Sequence, residues 1–360
     1  MFRKWSRGFH PSLVFSMAGL SAIGVLFIYS ASYHDPGHYA VKQTFWAAGG
    51  FAVFFLIPFV GYRKLLSVSY LLYVISLVLL VWTLIGGHIR YGAQRWIGLG
   101  PLMLQPSELA KLATIMTLAN FLGSHNSWEK DHRIALMAIL LAVCPLILIM
   151  KQPDLGTALL FLPMLITLLF LWGLRYRYLI GAFLGALGAA PVFWSFLKEY
   201  QKKRILVFLN PNSDPLGAGY TALQSKIAVG AGGFWGKGFL QGTQSQLKFV
   251  PEHHTDFIFC VIGEEWGYLG TALLLFTYGA LFNSIFQILE QTTDFRARLL
   301  ASGILAILFS QVMINLGMSI GLLPITGLPL PLISYGGSSF LTTALSLGLV
   351  ASIYKERSIF

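Results

Sequence analysis

Charge is what this sequence has least of. Only 11% of its 360 residues are charged and 56% are apolar, against roughly 25% and 45–50% in soluble domains. That balance excludes a soluble chain and leaves lipid to cover most of the surface. Cysteine is scarce too: Cys144 and Cys260 are the only two, both in apolar surroundings without metal-ligand spacing, so packing is their expected role. A nucleic-acid motif, a low-complexity tract and inverted repeats are also missing. The formal net charge of +11 is spread over many loops rather than gathered on one face. It therefore reflects topology and anionic lipid head groups, and no nucleic-acid partner is expected.

Long apolar runs are abundant. Ten of them suit a hydrocarbon layer about 30 Å thick: Ser12–Ala31, Gln43–Val60, Leu65–Ile85, Leu109–Leu122, Ile134–Met150, Leu155–Trp172, Leu179–Leu197, Phe257–Leu289, Leu299–Leu323 and Gly337–Tyr354. The first is too long for a signal-peptide core and has no convincing cleavage site, so it is expected as a retained anchor. The chain thus reads as an all-α polytopic membrane protein of about ten transmembrane helices, one domain over 1–360. With the N-terminus inside, thirteen basic residues fall in inner segments, among them Arg63, Lys64, Arg296, Arg298, Lys355 and Arg357. Short outer loops hold four, Lys42, Arg90, Arg95 and Lys151. Short basic loops stay cytoplasmic, so both termini are expected there.

Residues 196–255 form the one extended polar stretch, between spans seven and eight, and this topology makes it extracytoplasmic. Loops of such length are functional or disordered. The helix-like spacing of Tyr220–Val229 and the aromatics Phe234, Trp235, Phe239 and Phe249 favour order, as short amphipathic helices on the outer leaflet. Gly263-x-x-x-Gly267 and Gly317-x-x-x-Gly321 allow close helix approach. Pro324, Pro329 and Pro331 break the run before Gly337 into a re-entrant or kinked connection facing protein or water; an ordinary outer loop is the alternative.

Ionisable groups at membrane depth usually face a bundle interior or a wet cavity. Glu108 and Lys111 lie three apart on one helix face, as a structural ion pair or as part of a substrate site. Asp154 opens span six, where capping is expected. Asp256 opens span eight from the outer side after Pro251-Glu252-His253-His254-Thr255, and two roles stand level for it: a helix cap, or a general base for a polar substrate. His253 and His254 lack a third ligand at metal-binding spacing and read as surface residues. Glu264 and Glu265 follow about 12 Å deeper by helical rise, one to line the same cavity and the other to pair with a polar group. The stretch Gly230–Gly238 fails the phosphate-loop pattern, with Ala231 and Gly238 at deciding positions. Arg90, Arg95, Arg204 and Lys237 suit an anionic group on the outer side, head-group anchoring being the commoner use.

Five ordered motifs carry a resemblance over nearly the whole chain: RWIGLGPLMLQPSELAK (95–111), KQPDLGTA (151–158), NPNSDPLGAGYTALQSKIAVGAGGFWGKG (210–238), VPEHHTDFIFCVIGEEWG (250–267) and NLGMSIGLLPITGLPLPLISYGGSS (315–339). They resemble the SEDS proteins, the shape, elongation, division and sporulation family. QSKIAVG followed by GTQSQLKFVPE is similar to the RodA branch of elongation more than to the FtsW branch of division.

The resemblance implies a ten-helix peptidoglycan glycosyltransferase of the bacterial inner membrane, which polymerises lipid II into β-1,4 glycan strands and releases undecaprenyl diphosphate. It implies Asp256 as the catalytic residue, with Glu108 and Lys111 lining the same cavity, and gives His253 no role. It also implies a class B penicillin-binding protein and other elongation-complex membrane proteins as partners. A divalent cation, Mg²⁺ or Mn²⁺, is compatible with it, at residues it does not assign, and no organic cofactor is expected. On the chemistry, Asp256 would take the acceptor hydroxyl proton. Lys111, with Arg95 or Arg204, would balance charge on the diphosphate and hold the Asp256 pKa down. A lipid II flippase is the competing reading, but it predicts deep charges reachable from both faces, whereas these cluster near one end. A scaffold for a transpeptidase leaves the cluster without purpose.

Overall fold

The computed structural model describes residues 8–33, 37–90, 93–99, 102–125, 131–189, 199–215 and 217–357, together with 191, 194, 195 and 197. The end of the expected seventh span, the loop boundary at Phe196, the basic residues Arg3, Lys4, Arg7 and Lys130, and the Arg90 side chain lie outside these.

Fourteen helices dominate the described residues: α1 Pro11–Ala31, α2 Tyr39–Val60, α3 Tyr62–Ser67, α4 Ser69–Gly86, α5 Pro106–Ser124, α6 His132–Lys151, α7 Leu155–Trp172, α8 Tyr176–Gly188, α9 Glu199–Leu209, α10 Ala218–Ala231, α11 Thr243–Gln246, α12 Ile258–Glu290, α13 Phe295–Ser319 and α14 Gly337–Arg357. Local chemistry sets their ends. Pro11 and Pro106 occupy the first turns of α1 and α5, where no backbone hydrogen bond is lost. Asp131, Asp154 and Asp294 cap α6, α7 and α13 by accepting from backbone N–H groups, and Gly173 closes α7 in the left-handed region.

Eight of the described helices, α1, α2, α4, α6, α7, α12, α13 and α14, are long and apolar enough to cross a membrane, and the protein is a multi-pass membrane protein. The more polar α5 is buried on nearly every face. It packs against α4 and α13; α14 packs on α2, and α1 on α12. Outward-facing Leu71, Ile85, Leu136, Leu140 and Phe276 are exposed and suited to lipid.

Four expectations change. The stretch between α4 and α5, read as a plain outer loop in an all-α chain, contains a small antiparallel sheet: β1 His88–Arg90, β2 Ala93–Leu99 and β3 Leu102–Leu104, in the order β1-β2-β3. Ile97 pairs with Leu104 and Gly98 with Met103. Second, α13 stops at Ser319 rather than Leu323, because the N–H groups of Leu322 and Leu323 turn back to Gly317 O and Gly321 takes a positive φ of 73°. Third, α10 is not a helix lying free of the bundle: its Gly219, Ser225 and Ala228 are buried and it packs against α12, while Leu223 and Ile227 stay exposed on its other side. Phe239, expected as an anchor, meets Phe27 of α1 edge to face at 6.4 Å.

Fourth, α12 is kinked at Gly267, with φ 62° and ψ −153°. Its close approach is to the glycine-rich stretch rather than to a second spanning helix. A Cβ on Gly267 would sit 2.4 Å from Gly236 N, and one on Gly232 would collide with Gly263 O. Lys237 N and Gly238 N then donate to Glu264 O and Glu265 O across this seam.

The proline-rich connection between α13 and α14 is extended and enters the protein, as its sequence predicts. Leu328, Leu330, Leu332 and Ile333 are buried. Its polar backbone is satisfied by side chains: Gln311 donates to Pro329 O, Asn315 to Leu328 O, Tyr278 to Pro331 O and Gln43 to Ser334 O. Irregular backbone at such depth is tolerated only where protein meets its hydrogen-bonding needs.

Candidate active site

Asp256 sits in the tight turn before α12. Glu252 O accepts from the backbone N–H groups of Thr255, Asp256 and Phe257, and Glu252 takes a positive φ of 50°. The N-cap of α12 is Phe257, with no side-chain cap bond, so capping, one of the two roles open to Asp256, is not the one it plays. Its carboxylate makes no hydrogen bond or ion pair among the described residues. A Cβ on Gly327 would lie 3.3 Å from Asp256 Oδ2, and Gly327 has a φ of 74°. The bare glycine of the buried connection therefore leaves the carboxylate accessible.

Burial is the main force on Asp256 and raises its pKa to about 6; neighbouring Glu252 and Asp154 push the same way, while Arg204 and Arg95 oppose them. Arg95 on β2 donates through Nε to Gln152 O at 3.2 Å and also to Pro153 O, and its Nη1 lies 3.6 Å from Asp154 Oδ1. Asp154 caps α7 through Thr157 N and Thr157 Oγ1, as its sequence position predicts. Arg204 of α9 donates to Thr326 O at 3.2 Å. Two cations and three carboxylates thus meet at one end of the molecule, with Asp256 among them.

The Glu108/Lys111 pair is placed differently from the expectation. Lys111 Nζ is 2.9 Å from Glu108, both side chains being almost wholly buried, and donates to Gln311 Oε1 at 3.2 Å. The pair lines a separate cavity with Ile304, Ile307, Thr342, Thr343 and Ser346. Lys111 is not among the groups acting on Asp256, so it does not hold that pKa down, and the carboxyl moves up instead. The ion-pair reading of Glu108 and Lys111 is the one the geometry carries.

Lys237 is likewise committed. Its Nζ lies 2.8 Å from Glu264 Oε1 and 2.7 Å from Thr243 Oγ1; Glu264 also accepts from Gln244 N, Ser245 N and Ser245 Oγ. Fully buried Glu264, its acceptor positions filled, fastens the loop to α12 through the partly exposed Lys237 and commits that charge to the pair. Glu265 accepts from Ser30 Oγ of α1. Neither glutamate joins the Asp256 cluster, contrary to the depth argument, because α12 turns both toward protein. His253 is buried between Val250 O and Ala31 O rather than at the surface, and serves as a tether to α1.

Three site neighbours had not been singled out: Glu252, Gln311 and Asn315. The last two are amides one turn apart in an apolar span, and that was the available signal, since polar side chains in such helices seek specific partners.

No three His, Cys, Asp or Glu side chains converge as a metal cage among the described residues. The carboxylates near Asp256 match the sparse protein ligation of Mg²⁺, which takes one or two carboxylates and completes its shell with substrate phosphates and water.

A bundle of spanning helices with an acid–base cluster at one end defines a polytopic membrane protein built to handle a polar group at the lipid boundary. The family model of the FtsW/RodA/SpoVE cell cycle proteins matches residues 11–359, and the chain belongs to that family. It is 39% identical over 350 residues to the peptidoglycan glycosyltransferase MrdB of Escherichia coli K12, covering 97% of this chain and 94% of that protein. It is 33% identical to the peptidoglycan glycosyltransferase RodA of Treponema pallidum, covering 95% and 96%. Among solved structures, a chain of a peptidoglycan synthase complex that coordinates polymerization and crosslinking superposes with a TM-score of 0.84 at 36% identity, covering 97% and 98%. The rod shape determining protein RodA of Thermus thermophilus superposes at 0.73 with 32% identity, covering 97% of each chain.

Proposed function

We infer that this protein is a peptidoglycan glycosyltransferase that polymerises lipid II, with Asp256 as its general base. The observation that carries the residue assignment is the unpaired Asp256 carboxylate, facing bare Gly327, among residues that are otherwise paired. A pKa near 6 keeps it ionised at neutral pH yet makes it a stronger base than an ordinary carboxylate. Asp256 takes the proton from the 4-hydroxyl of the acceptor N-acetylglucosamine as that oxygen bonds to the anomeric carbon of the donor N-acetylmuramic acid. The bond from that carbon to the diphosphate breaks with inversion, giving a β-1,4 link and undecaprenyl diphosphate. Arg95 and Arg204, whose fields already reach Asp256, balance the leaving diphosphate. If Mg²⁺ or Mn²⁺ assists, Asp256 and Glu252 are the carboxylates nearest the work, and the ion would neutralise diphosphate charge.

The enzyme sits in the bacterial inner membrane with both termini in the cytoplasm, so that Asp256 meets lipid II at the outer face; the basic inner segments support this. It forms one domain, with 196–255 as its extracytoplasmic roof. Its expected partner is a class B penicillin-binding protein, a reading supported by its likeness to a chain of a synthase complex that couples polymerization to crosslinking.

Polymerisation of labelled lipid II by purified protein, with and without a cognate penicillin-binding protein and with a chelator titration, is the test. Asp256→Ala is expected to lose at least about 100-fold in kcat. A folded Asp256→Ala protein that polymerises at the parental rate would remove the base assignment.

A further inference from the structure

We propose that Gln311 and Asn315 of α13 form a positioning relay, through which the buried Glu108/Lys111 pair fixes the geometry of Asp256 without touching substrate. The proposal rests on the reading of Asp256 as the base.

One amide joins the catalytic turn to the wall opposite its carboxylate. Asn315 is fully buried, and its Nδ2 donates to Asp256 O at 2.8 Å and to Leu328 O at 2.7 Å. Leu328 adjoins Gly327, whose bare face meets Asp256 Oδ2. Both hydrogens of the amide are thereby used, while Asn315 Oδ1 is buried without a partner. Unmet buried acceptors are costly and call for an explanation; here the side chain is oriented for its two donations and forgoes an acceptance.

Gln311 lies one turn earlier on the same helix face. Its Nε2 donates to Pro329 O at 2.8 Å and its Oε1 accepts from Lys111 Nζ. An ammonium only donates and a carbonyl only accepts, so Lys111 must meet the oxygen of Gln311, and the NH₂ must then face Pro329. Glu108 holds Lys111 for that task. The order is Glu108, Lys111, Gln311, Pro329 and Leu328, Asn315, Asp256. Without the lysine, the Gln311 amide is free to flip and would oppose its oxygen to that of Pro329. The near-complete burial of Glu108 and Lys111 fits a structural relay better than a diphosphate seat.

The experiment is steady-state polymerisation of labelled lipid II by full-length Lys111→Met, Gln311→Met, Gln311→Glu and Asn315→Leu proteins, with detergent-phase melting to confirm folding. Misplacing a catalytic group by about 1 Å can cost about 100-fold. Each variant is therefore expected to lose about 10- to 100-fold in kcat, with KM within about threefold. Gln311→Glu is informative because it still accepts from Lys111 but cannot donate to Pro329. The Lys111→Met/Gln311→Met double variant should be no worse than its poorer single, since both break one chain. Should Asn315→Leu not fold, Asn315→Asp keeps the volume and removes the donor.

A rise in KM with kcat retained would make these residues substrate contacts and overturn the relay, as would losses that multiply in the double variant. A parental rate in Asn315→Leu beside an inactive Asp256→Ala counts against the relay alone. A parental rate in Asp256→Ala counts against the base.

Discussion

Asp256 and Glu264 lie eight residues apart on either side of the first turns of α12, and the protein treats them in opposite ways. Glu264 is surrounded by donors: Lys237 Nζ, Thr243 Oγ1 and Gln244 N on one oxygen, Ser245 N and Oγ on the other. Asp256 receives none among the described residues and faces a glycine. A carboxylate offers about four acceptor positions. Once they are filled, it cannot take a proton from a substrate hydroxyl; left empty in a half-buried turn, it is both strained electrostatically and available. One carboxylate secures the loop, and the other is left free for the base role proposed for it.

The comparison breaks most visibly at Glu264. Replacing it by Ala leaves four donors and the partly exposed Lys237 ammonium without their acceptor, a loss expected at the lower end of the about 3–5 kcal/mol typical when one partner of a buried pair is removed. The measurement is thermal unfolding in detergent with limited proteolysis, in which cuts are expected within 237–246; unchanged melting and cleavage would show that the loop is held elsewhere.

A smaller and opposite effect is expected at Asp256. Its folded carboxyl titrates near 6 against about 3.9 unfolded, so folding favours the protonated form. Stability from that preference is complete below about pH 4 and disappears as pH rises through 6. Asp256→Asn mimics the protonated state and should stabilise the protein at pH 7.5 by up to about 3 kcal/mol, a gain that shrinks toward pH 4. Equal melting of variant and parent across pH 4–8 would contradict it.

The smallest effect is on rate against pH. With Asp256 as the base, kcat/KM should be flat above pH 7 and fall about tenfold per unit well below pH 6. An acid limb below pH 4.5 would mean that substrate or a cation reverses the burial effect.

Much of this arrangement was legible beforehand for identifiable reasons. Apolar runs gave the helices, because lipid forces the backbone to satisfy itself. Three prolines marked the connection before Gly337 as broken and facing protein or water, and its burial against protein decided between them. Asp154 was readable as a cap because its bonds are local. The strands β1–β3 were missed because a short, glycine-containing meander carries little periodicity. The Glu108–Lys111 pair was legible because it is local, whereas the partner of Lys237 and the second partner of Lys111 were missed because they come from distant segments: Glu264 is brought over by the glycine seam at Gly232 and Gly236, and Gln311 by the packing of α5 on α13.

That seam has a further consequence, which concerns height. Gly267 divides α12, and the stretch 268–290 beyond it is about 35 Å long at 1.5 Å per residue, enough by itself to cross the hydrocarbon. At the kink, Phe234 stacks on Tyr268 with ring centroids 5.7 Å apart, and exposed Trp235 adjoins them, the composition of an interfacial aromatic belt. A belt at that level would raise the first turns of α12 above the acyl chains, as a pedestal. Sugar transfer at its tip would take place in the head-group layer, where a growing polysaccharide can leave without ever entering oil.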